Sequence, residues 1–219
     1  MFNPQILNMI GWGILETLYM TLISTIMAYL FGLPLGIALV VTDQGGIYPM
    51  KHLNTVLGTI INLLRSVPFL ILLILVFPIT QFVTGTTIGP NATVVPLVIG
   101  AAPFIARLVE SSLKEVDKGI IEAAESMGAS PIKIIYKVMI PEARPSLIIG
   151  SAIAVTTILS YSAMAGIVAG GGLGDIAIRY GLYRYQTDIM LVTVIMLVII
   201  VQVLQEIGMR LAKIGDKRK

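Results

Sequence analysis

A glycine-rich run that ends in an acid, Gly170-Gly-Gly-Leu-Gly-Asp175, is the first place where this sequence could do chemistry. Glycine-rich loops cradle phosphates, but a phosphate-binding loop also needs a lysine directly after its last glycine. The chain contains no Gly-Lys pair, so we do not expect it to hydrolyse ATP through such a loop. The run favours a tight outer turn. The alternative is a flexible rim of a pathway mouth or a docking edge for an outside partner.

The same run contains Gly172-Leu-Gly-Asp175, which matches the GxGD signature of intramembrane aspartyl proteases. That chemistry needs two carboxylates that share one proton. We expect Asp175 to lie in a loop, and no second aspartate falls inside an apolar stretch. The single histidine, His52, and the absence of cysteine argue against a nucleophile or metal site. The sequence therefore predicts no catalytic residue, metal or cofactor in this chain, and a stand-alone channel is the other alternative class.

A charged segment between two apolar stretches is punctuated as two short helices rather than as an ordinary loop. Asp117 is placed to cap the first helix, and Gly128 is placed to stop it. Ser130 followed by Pro131 is a typical helix start, and we expect the second helix to end at Pro141. The first helix carries an apolar stripe at helical spacing, made of Ile120, Ala123, Ala124 and Met127.

The composition predicts an integral membrane protein. Hydrophobic residues make up 56% of the 219 residues and charged residues 12%, about half the usual ~25%. The mean hydropathy is +0.92. The net charge of +3 does not indicate nucleic-acid binding, because the basic residues flank apolar stretches and few aromatics accompany them. No Lys or Arg precedes Lys51, so the first span is not expected to be a cleaved signal peptide.

Apolar stretches and turn signals predict an all-α protein with five transmembrane helices in one domain over residues 1–219. Pro34 is expected to interrupt the first span, and the turn-rich residues 84–93 separate the second from the third. Residues 52–65 either lie along the inner surface as an amphipathic helix or belong to the second span. The expected spans are 17–41, 64–83, 92–110, 145–168 and 187–209, with a cytoplasmic loop at 111–144.

The distribution of basic residues predicts the orientation. With the N-terminus outside and the C-terminus in the cytoplasm, 13 of the 15 Lys and Arg residues lie on the inner side. Only Arg179 and Arg184 remain outside, as the positive-inside rule expects. The same orientation places the helix pair of residues 111–144 in the cytoplasm.

Small and polar residues predict helix packing and a possible pathway. The pairs Gly32 and Gly36, and Gly166 and Gly170, have the spacing that lets helix backbones approach closely in lipid. The most polar part of the fourth span serves either as hydrogen bonds between helices or as a pathway lining with an apolar gate. Its residues are Ser160, Tyr161, Ser162 and Met164.

The spacing of the charged segment resembles the EAA loop of ABC-importer permeases, which docks onto the ATPase subunit. Three further stretches, Arg65–Pro68, Gly100–Arg107 and Tyr161–Met164, together with the glycine-rich run, resemble the methionine-type branch across nearly the whole chain. The usual Ile and Leu before the last proline appear here as Val138 and Ile140, which conserves volume. The resemblance assigns ATPase coupling to Glu122, Ala123, Ala124, Gly128, Val138, Ile140 and Pro141.

That resemblance implies a type I importer permease in a bacterial plasma membrane. The family pairs two permease copies with two cytoplasmic ATPases, which hold ATP and Mg, and with an external binding protein that delivers D- or L-methionine. Another amino acid or small solute is the alternative cargo. A homodimer also agrees with the span count, because five helices enclose a solute path poorly whereas a two-fold pair supplies ten. Transport would follow from rocking of the helix bundles.

Overall fold

The computed structural model describes residues 4–215, and every regular element within them is a helix. Four stretches are long and apolar enough to cross a membrane: Pro4–Val41, Pro90–Lys114, Arg144–Leu182 and Thr187–Ile214. Lys51–Ser66 and Phe69–Leu75 make a fifth if they are counted as one broken span. The helices are α1 (Pro4–Val41), α2 (Lys51–Ser66), α3 (Phe69–Leu75), α4 (Phe77–Thr84), α5 (Pro90–Lys114), α6 (Lys118–Ser126), α7 (Pro131–Ile134), α8 (Ile140–Glu142), α9 (Arg144–Met164), α10 (Gly172–Ile176) and α11 (Thr187–Gly215).

The first helix is longer than expected and is not interrupted. It begins at Pro4, before the expected residue 17, and it continues past Pro34 without a break. The sequence boundary was set by Glu16, a charge that usually marks the end of an apolar span. Glu16 is accommodated inside α1 because its carboxylate accepts a hydrogen bond of 2.7 Å from the backbone N–H of Gly172.

The second apolar stretch is divided into three helices. The chain breaks at Pro68, which precedes α3, and again at Val76, which separates α3 from α4. Residues 52–65 therefore form most of a separate helix, α2, whose Leu57 and Ile61 pack against Leu39 and Ala106. A second apolar face of α2 is exposed and consists of Leu53, Val56, Ile60 and Leu63.

Residues after the fourth long helix fold back instead of forming a simple outer turn. Helix α9 ends at Met164 and is followed by a 3₁₀ turn, Ala165–Val168. After the glycine run, α10 continues directly into a π-helical segment, Ala177–Leu182. Gly171 and Gly172 have φ values of +89° and +74°, in the left-handed region that favours glycine.

The chain divides into two compact units. Among the described residues, the first combines 4–28, 67–101 and 155–205, and the second combines 29–66, 102–154 and 206–215. The core of the first unit is built on Ile10, Leu173, Ile176 and Ile189.

Close backbone approaches hold each unit together. In the second unit, a Cβ placed on Gly32 would lie 2.8 Å from the carbonyl oxygen of Ala102, and one on Gly36 would lie 2.6 Å from that of Ala106. The expected tight packing at this glycine pair is thus confirmed. In the first unit, a Cβ on Gly170 would lie 2.7 Å from the carbonyl oxygen of Ala165. Small residues permit these approaches because any larger side chain would overlap backbone atoms.

Candidate functional site

The first helix of the charged segment is capped as the sequence predicts. The Asp117 carboxylate accepts a hydrogen bond of 2.7 Å from the backbone N–H of Gly119. Helix α6 ends at Ser126, and Gly128 follows with a φ of +75°. Its N–H donates to the Glu125 carbonyl at 2.8 Å. Because non-glycine residues adopt this conformation at a cost of ~1–2 kcal/mol, glycine fits here for a conformational reason.

The second helix begins as expected but does not end at Pro141. Ser130 precedes α7 in an extended conformation and makes no side-chain cap bond, and Pro131 occupies the first turn. The chain then continues as a π-helical segment, Ile135–Met139, and directly into α8. Pro141 is the middle residue of α8, which ends at Glu142, so the helical segment stops one residue beyond the expected position.

The two helices bury one face and expose another. Ala124, Ile134 and Met139 are buried at 4%, 0% and 2% exposure, so the expected apolar stripe is split, with only Ala124 facing inward. Glu122, Ala123 and Gly128 are exposed. Exposed apolar side chains close together mark an interaction site more often than isolated ones do. The apolar side chains of this surface, which we name the docking face, are Ile120, Met127, Ile132 and Tyr136.

Gly128 leaves the docking face open. A Cβ built on it meets no atom of the chain within 4 Å. Val138 and Ile140 are half-buried and Pro141 is exposed, so the C-terminal part of the segment is anchored as well as accessible. The structure therefore brings the expected coupling residues into one capped segment with an uncovered surface.

Sequence reasoning missed a cavity beside this segment whose lining is part apolar and part charged. The cavity has a volume of about 410 Å³ and separates α6 from the loop that follows α1. At its edge, Lys114 Nζ lies 2.9 Å from Asp43 Oδ2. The hydrogen bond from Lys114, with a second one from the Gln44 N–H, holds the pKa of Asp43 below its ordinary value. Five charged residues line the cavity: Asp43, Lys114, Lys118, Glu122 and Glu125.

The hydroxyls of Ser160 and Ser162 bond within the fourth span itself. Ser160 donates to the Thr156 carbonyl at 3.1 Å, and Ser162 donates to the Leu159 carbonyl at 2.7 Å. Both bonds lie within α9. The Tyr161 ring instead stacks on Phe69, with ring centroids 4.3 Å apart and planes 3° apart.

Met164 lies on an exposed face of α9 that the chain itself does not cover. Its exposure is 40%, that of Ile167 is 49%, and Ser160 is also exposed. The spacing of four and three residues places these three side chains on one face. An uncovered Met beside a hydroxyl has the chemistry expected of an apolar gate.

Asp175 is not a loop residue, which corrects the sequence expectation. It lies in α10, is buried, and forms an ion pair with Arg179 one turn later. The neighbouring backbone N–H of Leu173 donates to Thr17 Oγ1 at 2.9 Å, beside the bond from Gly172 to Glu16. Each carboxylate is thus engaged by a donor rather than sharing a proton with the other. This arrangement gives no support to aspartyl protease chemistry.

Comparisons with known proteins agree with these features. Residues 32–219 match the family model described as the binding-protein-dependent transport system inner membrane component. A probable D-methionine transport system permease protein, MetI of Vibrio cholerae, is 49% identical over 99% of this chain and 95% of its own length. The methionine import system permease protein MetP of Bacillus subtilis is 47% identical over 82% of this chain and 81% of its own.

Solved structures share the fold. A chain of the MetNI methionine ABC transporter, solved in inward facing conformations, has a TM-score of 0.97 and 41% identity, with 99% of this chain and 100% of that chain covered. A chain of an amino acid ABC transporter has a TM-score of 0.73 at 22% identity and covers 98% of this chain and 96% of its own. At that identity the second likeness concerns the fold alone.

Proposed function

This chain belongs to the family of binding-protein-dependent transport system inner membrane components, and we propose that it is the permease subunit of an ATP-driven importer of D- and L-methionine. The observation that carries the proposal is the match to a D-methionine permease over 99% of this chain and 95% of that relative. As a permease subunit it is not an enzyme. The chemistry of ATP and Mg belongs to a partner ATPase.

In the proposed assembly, two copies of this chain form the pathway and two ATPases bind from the cytoplasm. The docking face supplies uncovered apolar surface for the ATPase, while exposed Lys133 and Lys137 suit the wet rim of such an interface. An external binding protein delivers the amino acid. Closure of the ATPases on ATP then moves the docked segment, and the bundles rock to change which side has access. No nucleic acid takes part.

The function is tested by reconstituting the chain with its ATPase and binding protein in proteoliposomes. We expect uptake of labelled methionine that requires ATP and is competed by both stereoisomers. The matched control is an ATPase that binds ATP but cannot hydrolyse it. If unlabelled methionine does not reduce the uptake, the cargo is another solute. If uptake does not depend on the ATPase, the importer assignment is rejected.

We propose an outside N-terminus and a cytoplasmic C-terminus, on the 13-to-2 distribution of basic residues. Three of the 13, Lys217, Arg218 and Lys219, lie outside the described residues, as do both termini. The remaining basic residues on the cytoplasmic side predict the same orientation of the chain in the membrane.

Cysteine labelling tests this orientation, because the chain has no cysteine of its own. Asn91 and Ser130 are both exposed, and Ser130 makes no cap bond that the change would remove. In intact cells, an impermeant maleimide should label Asn91→Cys and leave Ser130→Cys unlabelled. Permeabilised cells, in which both should react, are the control. The reverse pattern would overturn the orientation.

Met164 provides a prediction for the pathway. In a two-fold dimer a residue near the axis meets its own copy, so two methionine side chains could close the path without desolvating a charge. Met164→Ala should therefore let small solutes leak, or let ATP hydrolysis continue without uptake. Leak and ATPase activity in proteoliposomes are the measurements, with Leu191→Ala, an exposed apolar residue on α11, as the control. A tight, coupled Met164→Ala protein would show that the side chain only packs.

A further inference from the structure

Arg107 makes three hydrogen bonds, two of which join α5 to α2 within the second unit. Its Nη1 donates to Glu110 Oε2 on the same helix at 2.6 Å. Its Nη2 donates across to α2, to the Gly58 carbonyl at 3.0 Å and to Asn62 Oδ1 at 2.8 Å. A planar guanidinium can hold such partners in fixed directions, whereas a lysine ammonium cannot. This side chain therefore ties α2 to α5, in addition to the packing of Leu57 and Ile61 against Ala106.

The contacts continue from Arg107 toward the end of α1. Lys114 Nζ lies 2.9 Å from Glu110 Oε1 and also 2.9 Å from Asp43 Oδ2. The Glu110 side chain is only 13% exposed, so both of its oxygens are engaged in a largely dry place. We name this series the coupling network: Asp43, Lys114, Glu110 and Arg107.

The coupling network borders the cavity behind α6. Asp43 and Lys114 line one side of the cavity, and Lys118 and Glu122 of α6 line it as well. The positive charge of Lys118 adds to the influence of Lys114 on Asp43. Because the cavity of about 410 Å³ leaves α6 incompletely packed here, α6 has room to shift against the network.

We propose that the coupling network carries the movement of α6 to α2, with Arg107 as the positioning residue that transmits it. The inference rests on the proposed function, since it needs an ATPase docked on the segment that contains α6. When α6 shifts, Lys118 competes with Lys114 for Asp43, and the displaced Lys114 pulls on Glu110. Glu110 holds Arg107, and Arg107 holds α2 through Gly58 and Asn62.

The deciding variant is Arg107→Lys, which keeps the positive charge but loses the planar guanidinium that binds Glu110 and α2 at the same time. In the reconstituted transporter, we expect the number of methionine molecules imported per ATP hydrolysed to fall at least ~5-fold, because ~1 kcal/mol of lost transmission corresponds to that factor. The amount of ATPase that co-purifies should not change. Arg210→Lys is the matched control, since Arg210 forms an exposed ion pair with Glu206 on its own helix.

Asn62→Ala is the second variant, in case Arg107→Lys fails to fold. Asn62 is exposed, so its removal should spare the fold and lower the import ratio in the same direction by a smaller factor. A merely structural role would reduce the yield of both variants and leave the ratio per ATP unchanged. That result would overturn the network proposal.

Spin labels at Val56→Cys on α2 and Glu125→Cys on α6 separate this proposal from the proposed function. With an ATPase that binds but does not hydrolyse ATP, α6 should move on ATP binding in both chains. Because α2 follows α6 through Arg107, the label distance should change less in the otherwise wild-type chain than in Arg107→Lys. An equal change in both would reject the network while the importer assignment stands. A chain that forms no ATPase complex would reject the proposed function and the network with it.

Discussion

Replacing Gly166 with alanine is expected to prevent the chain from closing around its glycine-rich turn. A Cβ on Gly166 would lie 2.4 Å from the carbonyl carbon of Gly174 and 2.5 Å from the nitrogen of Asp175. Both are backbone atoms, which cannot rotate away as a side chain would. We therefore expect destabilisation above the ~1–3 kcal/mol that overpacking typically costs, a large share of a stability of ~5–15 kcal/mol.

Two glycines of the first helix, α1, provide graded controls for the Gly166 substitution. A Cβ on Gly13 would lie 2.5 Å from Cδ1 of Ile176, which is the far end of a flexible side chain, so Gly13→Ala should be milder. A Cβ on Gly11 meets nothing within 4 Å, and Gly11→Ala should be neutral or slightly stabilising in a helix. Thermal unfolding in detergent, followed by the loss of the monodisperse peak, ranks the three. Equal stability of Gly166→Ala and Gly11→Ala would refute the close backbone approach.

Local signals were sufficient for the charged segment. The Asp117 cap, the stop at Gly128 and the start at Ser130 and Pro131 each depend on residues within one turn. The helical segment ends at Glu142, one residue after the expected Pro141, and what the sequence did not predict is the π-helical segment before it. That register shift has no sequence signal of its own.

Long-range partners account for the boundary errors. Glu16 looked like the edge of a span because charges are rare in lipid, but its acceptor role depends on Gly172, 156 residues later. Asp175 was expected in a loop because it is a charge that follows a glycine run. The helix that contains it forms where the chain folds back after α9, and this fold brings Gly166 against Gly174. A single sequence gives no direct record of such contacts.

Sequence spacing predicts the part of the coupling network that lies within α5, but not its contacts to other helices. Arg107, Glu110 and Lys114 have the three- and four-residue spacing of ion pairs on one helix, which pattern reading alone can find. Asp43 and Asn62 lie on other elements, so only the fold reveals that the pairs continue to α1 and α2. The gate assignment of Met164 depends on a second copy of the chain and is still a prediction.

Gly128→Leu is expected to abolish ATPase docking and transport while the chain still inserts into the membrane. Within the chain a Cβ at this position meets nothing, so the folded permease has space for the side chain. The cost inside the permease is the left-handed backbone, ~1–2 kcal/mol for any ordinary residue. What leucine adds beyond alanine is bulk on the docking face, directly after Met127, which is 81% exposed.

A series of three substitutions at Gly128 separates backbone strain from obstruction of the partner. Asparagine tolerates a φ of +75° better than alanine does, yet it is larger. If the glycine serves only the turn, ATPase co-purification should rank Asn above Ala, with Leu equal to Ala. If a partner packs closely on this surface, the order should be Ala, then Asn, then Leu, and Leu should lose at least ~10-fold in ATPase affinity, which corresponds to ~1.4 kcal/mol. Glu122→Ala should weaken docking less, because an exposed charged contact typically contributes only ~0.2–1 kcal/mol. Normal docking and transport in Gly128→Leu would show that the ATPase binds elsewhere on the chain.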